Sequence, residues 1–593
     1  MAKHTYQSGV IGNCSYIAHV RKDTNISWLC WPKFDSTFVF GAMLDERKGG
    51  EFSILPEGGY QSRQYYLENT NILCTEISNS YGSYRITDFA PRFSNNNRMF
   101  RPLNLLRKIE VLSGVPRIRV VCRPVLDYGK IALKPNLGSN HLHYSHGDIV
   151  IRLTTNCSVN YIAEECYFVL DSTKYFVLSY GSPFEAELEP TFERFLHATV
   201  QYWRYWVKGS SILSFYQTAV IRSSLALKLH QFEDTGAFIA ASTTSLPEFP
   251  GEGRNWDYRY CWLRDTHYVI NALNNIGHFD ELEKFFSYTA SISYTEIDRY
   301  QPLYGITGEK KIAEMSLDYL DGYMGNKPVR IGNQAFEHIQ NDIYGQVLIS
   351  LLPLYIDKRF VVDERTDSSR WIDFILKKIE KTVDEKDAGI WEFRNMPNIH
   401  CYTNLFQWAG AKAALKMARE VGDKKLITRA LKLIRTTRQH IEACYDPVRK
   451  VYTHAVGSPY LDASTLQLII MNYLDPHSQK AREHLRGLEK ELRGKNGLFY
   501  RYVHTDDFGK PSSTFLICAF WYVEALAMVG RNRDAISTFE QLMQYSNGLG
   551  LFSEDVDEHD GSQWGNFPQA YSHVGLMNAA YRIAKKLDKP IYY

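Results

Sequence analysis

Two glutamates stand in stretches that suit acid–base chemistry. The first is Glu392, in Gly389-Ile390-Trp391-Glu392-Phe393-Arg394. A carboxylic acid against an apolar ring loses hydration, so its charged form is disfavoured and its pKa rises. A carboxyl that keeps its proton near neutral pH can act as a general acid. The same pattern also fits a solvated loop residue, so it needs a second carboxylate and a pocket to carry weight. Glu554 offers that carboxylate, in Gly550-Leu551-Phe552-Ser553-Glu554-Asp555-Val556-Asp557. The run Glu554, Asp555, Asp557, Glu558 can also be read as a solvated acidic loop or a calcium site, but its spacing does not match an EF-hand.

A third stretch, Asn255-Trp256-Asp257-Tyr258-Arg259-Tyr260-Cys261-Trp262-Leu263-Arg264-Asp265, runs straight into helical sequence. Asp265 stands where an N-cap belongs, and Arg264 beside it could be a surface ion pair. Flanked by Trp256 and Trp262, the pair equally suits a clamp for sugar hydroxyls with rings to stack on. The Gly-rich pieces Gln301–Gly308, with Tyr304, and Pro328–Asn333 either bring backbone close to a ligand or simply turn.

These residues need elements to hold them. From residue 212 onward the apolar period is that of a helix, with segments expected near 214–231, 266–277, 279–292, 336–356, 369–386, 401–421, 424–444, 463–474, 478–493, 513–529, 531–546 and 571–587. Some are apolar nearly throughout (401–421, 513–529) and others amphipathic (369–386, 478–493), which fits six inner–outer pairs in an (α/α)6 barrel over 212–593. No self-similarity at a fixed period supports the alternative of a superhelical repeat array. Long loops fall at 232–265, 293–335, 387–400 and 547–570, and the candidate residues lie in them. The sixth and twelfth helices each start just after a glutamate-bearing loop, so Glu392 and Glu554 can face each other at one end of the ring.

Residues 1–190 alternate with period two between turns such as Asn79-Ser80-Tyr81-Gly82, which predicts an antiparallel β-sandwich, followed by a helical linker over 191–211. The aromatic-dense segment 28–36 reads as a strand edge that plugs into the next domain. A net charge of +2 provides no field for nucleic acid or an anionic membrane. No apolar run is long enough to span a bilayer and the N-terminus has no secretory h-region, so a cytoplasmic location is expected. The ten cysteines lack metal-ligand spacing, and buried free thiols are expected in place of disulfides or zinc.

Taken together, Ile11-Gly12-Asn13, the 28–36 segment, Thr87-Asp88-Phe89-Ala90-Pro91, the 256–265 stretch, Pro328–Asn333, Ile390-Trp391-Glu392 and Gly565-Asn566-Phe567-Pro568-Gln569-Ala570-Tyr571-Ser572-His573 run in order along the chain. The set resembles glycoside hydrolase family 15, the glucoamylases, glucodextranases and bacterial or archaeal trehalases. The resemblance implies a β-supersandwich, a helical linker and an (α/α)6 catalytic barrel. It implies Glu392 as general acid and Glu554 as general base, with Arg264 and Asp265 holding the terminal glucose; Trp262, Tyr304 and Trp391 are expected as further substrate contacts. The reaction implied is inverting hydrolysis of a terminal, non-reducing α-glucosidic bond of glucoamylase type, with release of β-glucose and without metal or organic cofactor. An α,α-trehalase is the alternative, followed by an inverting phosphorylase and a non-catalytic sugar-binding protein. Three departures bear on the leaving-group subsite: Cys401-Tyr402-Thr403-Asn404 replaces a Thr-His-Ser-Lys run, His338 a common glutamine, and Phe393 the second glutamate of fungal glucoamylases. Oligomeric state and linkage preference are not legible in the sequence.

Overall fold

The computed structural model describes residues 3–295, 298–360 and 368–587. Residues 1–2 of the expected sandwich, 296–297 of the second loop and 588–593 of the expected barrel lie outside the described residues. An N-terminal β-sheet domain is followed by a helical (α/α) barrel.

Eight antiparallel strands form the large sheet, in the order 135–137, 141–146, 149–155, 174–180, 104–114, 82–89, 73–79, 61–66. Period two sends neighbouring residues to opposite faces. Leu105 and Ile109 therefore enter the core with Ile86 and Phe52, while Leu106 emerges on the other side among Phe89 and Val177. The helix Leu188–Lys208 covers that second face with Phe192 and Phe195. It begins three residues before the expected linker and is packed along its length, with Thr199, Trp203 and Val207 continuing the buried stripe. Arg107 and Asp88 are fully buried as a pair, Nε to Oδ1 at 2.8 Å, and Arg107 also donates to the Phe52 and Thr24 carbonyls. Asp88 thus belongs to the sandwich core, where a charge is tolerable because it is paired and hydrogen-bonded.

Among the described residues twelve helices build the barrel: α1 Gln217–Leu229, α2 Leu263–Asn275, α3 Asp280–Thr295, α4 Asp342–Ile356, α5 Ser368–Thr382, α6 Cys401–Glu420, α7 Lys424–Ala443, α8 Gln467–Ile470, α9 Gln479–Leu492, α10 Leu516–Met528, α11 Asn532–Met543 and α12 Ala570–Leu587. The even-numbered helices touch in sequence and α12 returns to α2, which closes the inner ring. Sequence explains the two layers. Every residue of α10 is buried, as an inner helix demands. On α9 only Ala481, His484, Leu485, Leu488 and Leu492 are buried, one stripe at helical spacing. α8 is shorter than its apolar pattern suggests, one α-turn after a 3-10 turn over Ala463–Leu466.

The sandwich docks on the barrel end that carries the long loops. Trp28 donates its indole N–H to the Ser242 carbonyl at 2.6 Å, so the 28–36 segment does plug into the barrel. Asn547 binds the Tyr6 and Ser8 carbonyls, and the Tyr6 hydroxyl donates to the Gly565 carbonyl at 2.8 Å. These bonds fix both ends of the loop that bears Glu554. All ten cysteines are free, with only Cys166 exposed. Among the described residues no helix is long and apolar enough to cross a membrane.

Candidate active site

The inner helices are entered from loops at the same end of the ring, and the loops before α2, α4, α6, α10 and α12 enclose one cleft. Glu392, Glu554, Arg264, Asp265, Trp262 and Trp391 all line it. Glu392 sits at a left-handed backbone position, φ 63°, that a non-glycine residue adopts only under constraint. Its Oε1 accepts three hydrogen bonds: from Trp262 Nε1 at 2.8 Å, Arg264 Nη2 at 3.1 Å and Gln340 Nε2 at 3.1 Å. Three donors on one oxygen fix the carboxylate plane and leave Oε2 for a ligand. The tryptophan that governs Glu392 is therefore Trp262, through its N–H, whereas Trp391 donates to Asp462 Oδ2 at 2.6 Å.

Glu554 is buried, with Oε1 accepting from the Tyr258 hydroxyl at 2.9 Å and Oε2 from the Asn566 amide at 3.4 Å. The close approach requires glycine at 565, where φ is +75° and a Cβ would come within 2.5 Å of the Glu554 Cβ. Another carboxylate lines the cleft beside it. Glu248 is buried, accepts from Trp256 Nε1 at 2.9 Å and is ion-paired with Arg501.

Asp265 does not cap its helix. Trp262 occupies that position, and Asp265 lies in the first turn with its carboxylate 3.5 Å from Arg264 Nε. Its Oδ2 is buried without a hydrogen-bond partner among the described residues. Arg264 is held by Gln340 Oε1 at 2.6 Å and by the Tyr571 hydroxyl at 3.2 Å. Gln340 can reach both because the expected helix from 336 begins only at Asp342. Tyr304 does not join the cleft. Its strand pairs with Cys261–Trp262, the ring is fully buried, and the hydroxyl accepts from the Gln301 amide, so it supports the Trp262 strand from below.

Sequence reasoning passed over Glu248, Tyr258 and the loop before α10. That loop brings Arg501, Tyr502, Asp506, Asp507 and Phe508 to the cleft. Arg254 grips Asp506 through two bonds, at 2.9 and 2.6 Å. Asp507 accepts from the Arg394 and Asn395 amides at 2.6 and 3.1 Å. Phe508 packs edge-on to Trp256 at 5.1 Å. The loop is thereby strapped across the cleft to the loops before α2 and α6. The signal available was position: a ring of six inner helices has six entry loops, and each is a candidate wall.

The model for glycosyl hydrolases family 15 matches residues 214–581. The chain belongs to glycosyl hydrolase family 15. The model of the trehalase-like N-terminal domain matches residues 2–163 of this family 15 enzyme. The trehalase of Thermoplasma volcanium is 33% identical over 98% of this chain and 93% of its own length. The trehalase of Mycobacterium tuberculosis is 30% identical over 95% of this chain and 87% of its own. A bacterial glucoamylase complexed with acarbose superposes with a TM-score of 0.70 at 15% identity, covering 98% of this chain and 95% of that one, a likeness of fold. The enzyme is an exo-acting glycosidase of this family.

The electrostatics of the family 15 cleft differ from the sequence expectation. Burial would raise Glu392, but Arg264 above all, with the Gln340 amide and the Trp262 N–H, outweighs it and holds the carboxyl below its ordinary value. Burial pushes Glu554 up to about 8, and the neighbouring charge of Glu248 adds to the rise. Near neutral pH the fold therefore favours the protonated form of Glu554 and the charged form of Glu392. Trp391, which flanks Glu392 in sequence, does not contact its oxygens; in place of an apolar ring the carboxylate meets the Trp262 N–H and the Arg264 guanidinium.

Proposed function

We propose that this enzyme is an inverting α,α-trehalase. Support comes first from the relatives that match nearly end to end, the trehalases of Thermoplasma volcanium and Mycobacterium tuberculosis. The observation that carries the reading in the structure is the strap Asp506-Asp507-Phe508, pinned by Arg254, Arg394 and Asn395. It walls the cleft beyond the clamp, which suits a substrate of two sugar rings better than a long glucan.

In this reading Arg264 and Asp265 hold hydroxyls of the glucose that is attacked. Glu392 gives its proton to the glycosidic oxygen, and Glu554 takes one from a water that attacks the anomeric carbon from the opposite face. Inversion leaves room for that water between carboxyls roughly 6.5–9.5 Å apart. One proton is shared by the two glutamates, and the reactive form carries it on Glu392. Sugar hydroxyls that draw Arg264 and Gln340 away from Glu392 remove what stabilises its charge, so binding itself moves the proton to where it is needed. The Trp391 ring, anchored through Asp462, presents a face for the sugar and excludes water.

The test is hydrolysis of trehalose, maltose, isomaltose and maltotetraose, with and without phosphate. Trehalose is expected to exceed maltose in kcat/KM by about tenfold or more, the discrimination available to a site that hydrogen-bonds its second sugar. Preference for maltotetraose would return the enzyme to the glucoamylase reading. β-Glucose 1-phosphate would identify a phosphorylase, and no product a sugar-binding protein.

A further inference from the structure

Of the three departures from the family pattern, His338 and Phe393 line the cleft, whereas Cys401-Tyr402-Thr403-Asn404 is buried in α6. His338 follows the 3-10 turn Gln334–Glu337 in the loop that leads to α4. Its ring lines the cleft with Glu392, Phe393, Arg394 and Asp507. The charged groups that bear on it are Glu392, Arg394, Asp507 and Glu337. It therefore stands beside the proposed acid, toward the strap, and away from Glu554.

Polar groups around it are already engaged within the protein. Arg394 donates to Gln334 Oε1 at 3.1 Å and Glu314 Oε2 at 3.3 Å. Asp507 is taken by the Arg394 and Asn395 amides and by Asn395 Nδ2. His338 is different. Its Nδ1 is buried without a partner, and no hydrogen bond to Nε2 exists among the described residues. A half-buried histidine whose ring lines a cleft with no protein partner on Nε2 is poised to take a ligand hydroxyl there. Burial holds its pKa down, so the ring is neutral and can both donate and accept. With Nδ1 covered, Nε2 is the nitrogen left to meet a hydroxyl.

We infer that His338 is a specificity-determining residue of the second-sugar site, hydrogen-bonding a hydroxyl of the leaving glucose next to the bond that Glu392 protonates. The inference rests on the two-sugar reading above. It assigns the change from glutamine to histidine a role: a ring reaches from the loop before α4 to a leaving sugar confined by the strap.

The test compares trehalose with α-glucosyl fluoride. Both present the same glucose to Arg264 and Asp265, but fluoride carries no hydroxyls for His338 to bind. His338→Ala is expected to raise KM for trehalose about tenfold or more, the loss of one hydrogen bond in a site built for it. Turnover of α-glucosyl fluoride is expected to stay within about threefold, because the groups that act on the attacked ring are untouched. His338→Gln keeps a donor and an acceptor and is expected to recover most of the trehalose KM. Equal losses on both substrates would place His338 in the support of Glu392 and overturn the inference, as would unchanged kinetics on trehalose in both variants. A wild-type enzyme inactive on α-glucosyl fluoride and trehalose alike would instead overturn the functional reading.

Discussion

Glutamine in place of Glu392, or in place of Glu554, is expected to lower kcat on trehalose by about a thousandfold or more, while substrate still binds. Each exchange keeps the volume and removes the ionisable group, so the side chain can neither give nor take the proton. The two variants should differ in what else changes. Wild-type kcat/KM should fall on the alkaline side as the shared proton leaves near the value of Glu554, about 8. On the acid side it should fall as Glu392, held below its ordinary range by Arg264, takes up a second proton. Stability separates the variants further. Unfolded, Glu554 loses its proton near the ordinary 4.5, whereas folded it keeps the proton to about 8. Between those values the unfolded chain binds fewer protons, so stability falls as pH rises. Glu554→Gln escapes this loss, and its melting temperature should exceed that of the wild type at pH 8 by more than at pH 5. An equal gap at both pH values would mean that Glu554 is not held protonated by the fold.

The second large effect is expected at Asp265. Its Oδ2 is buried without a hydrogen bond, 3.5 Å from Arg264 Nε, and burial pushes its pKa up to about 7 against the pull of Arg264. A protein tolerates such a carboxyl where a ligand completes it. Asp265→Ala removes charge-assisted hydrogen bonds to sugar hydroxyls, each about 1.5–3 kcal/mol, so kcat/KM should fall by about 10²–10⁴-fold. Asp265→Asn keeps the shape and should fall less. Because Arg264 also contacts Glu392 Oε1, the alanine variant should lower kcat as well as raise KM. A change in KM alone would mark Asp265 as a binding group without influence on the reacting centre. Steady-state kinetics over a wide range of trehalose concentration distinguish the two.

Much of this was legible in the sequence. Period two before residue 190 and period 3.6 after 212 gave the two architectures, since a sheet face and a helix stripe bury different spacings. The placement of Glu392 and Glu554 followed from counting helices, because both precede inner helices of one ring. What sequence missed depends on contacts between loops. The proton affinity of Glu392 was misjudged because Trp391 is its neighbour in the chain, while Trp262, Arg264 and Gln340 are its neighbours in space. Tyr304 looked like a ligand contact because it lies in a Gly-rich loop, but its strand pairing turns the ring into the core. Glu248 and Arg501 became partners across more than two hundred residues, a relation that no local pattern encodes. His338 stood out in sequence only as a departure, and its free nitrogens emerged from the packing around it.

The most direct test of the opposed glutamates is the fate of the attacking oxygen. Trehalose hydrolysed in H2¹⁸O and followed by NMR before the anomers equilibrate should yield equal amounts of α- and β-glucose, with the label on the anomeric carbon of the β form. Label on the α anomer would mean retention or attack from the same face, and would contradict an acid and a base placed on opposite sides of the bond.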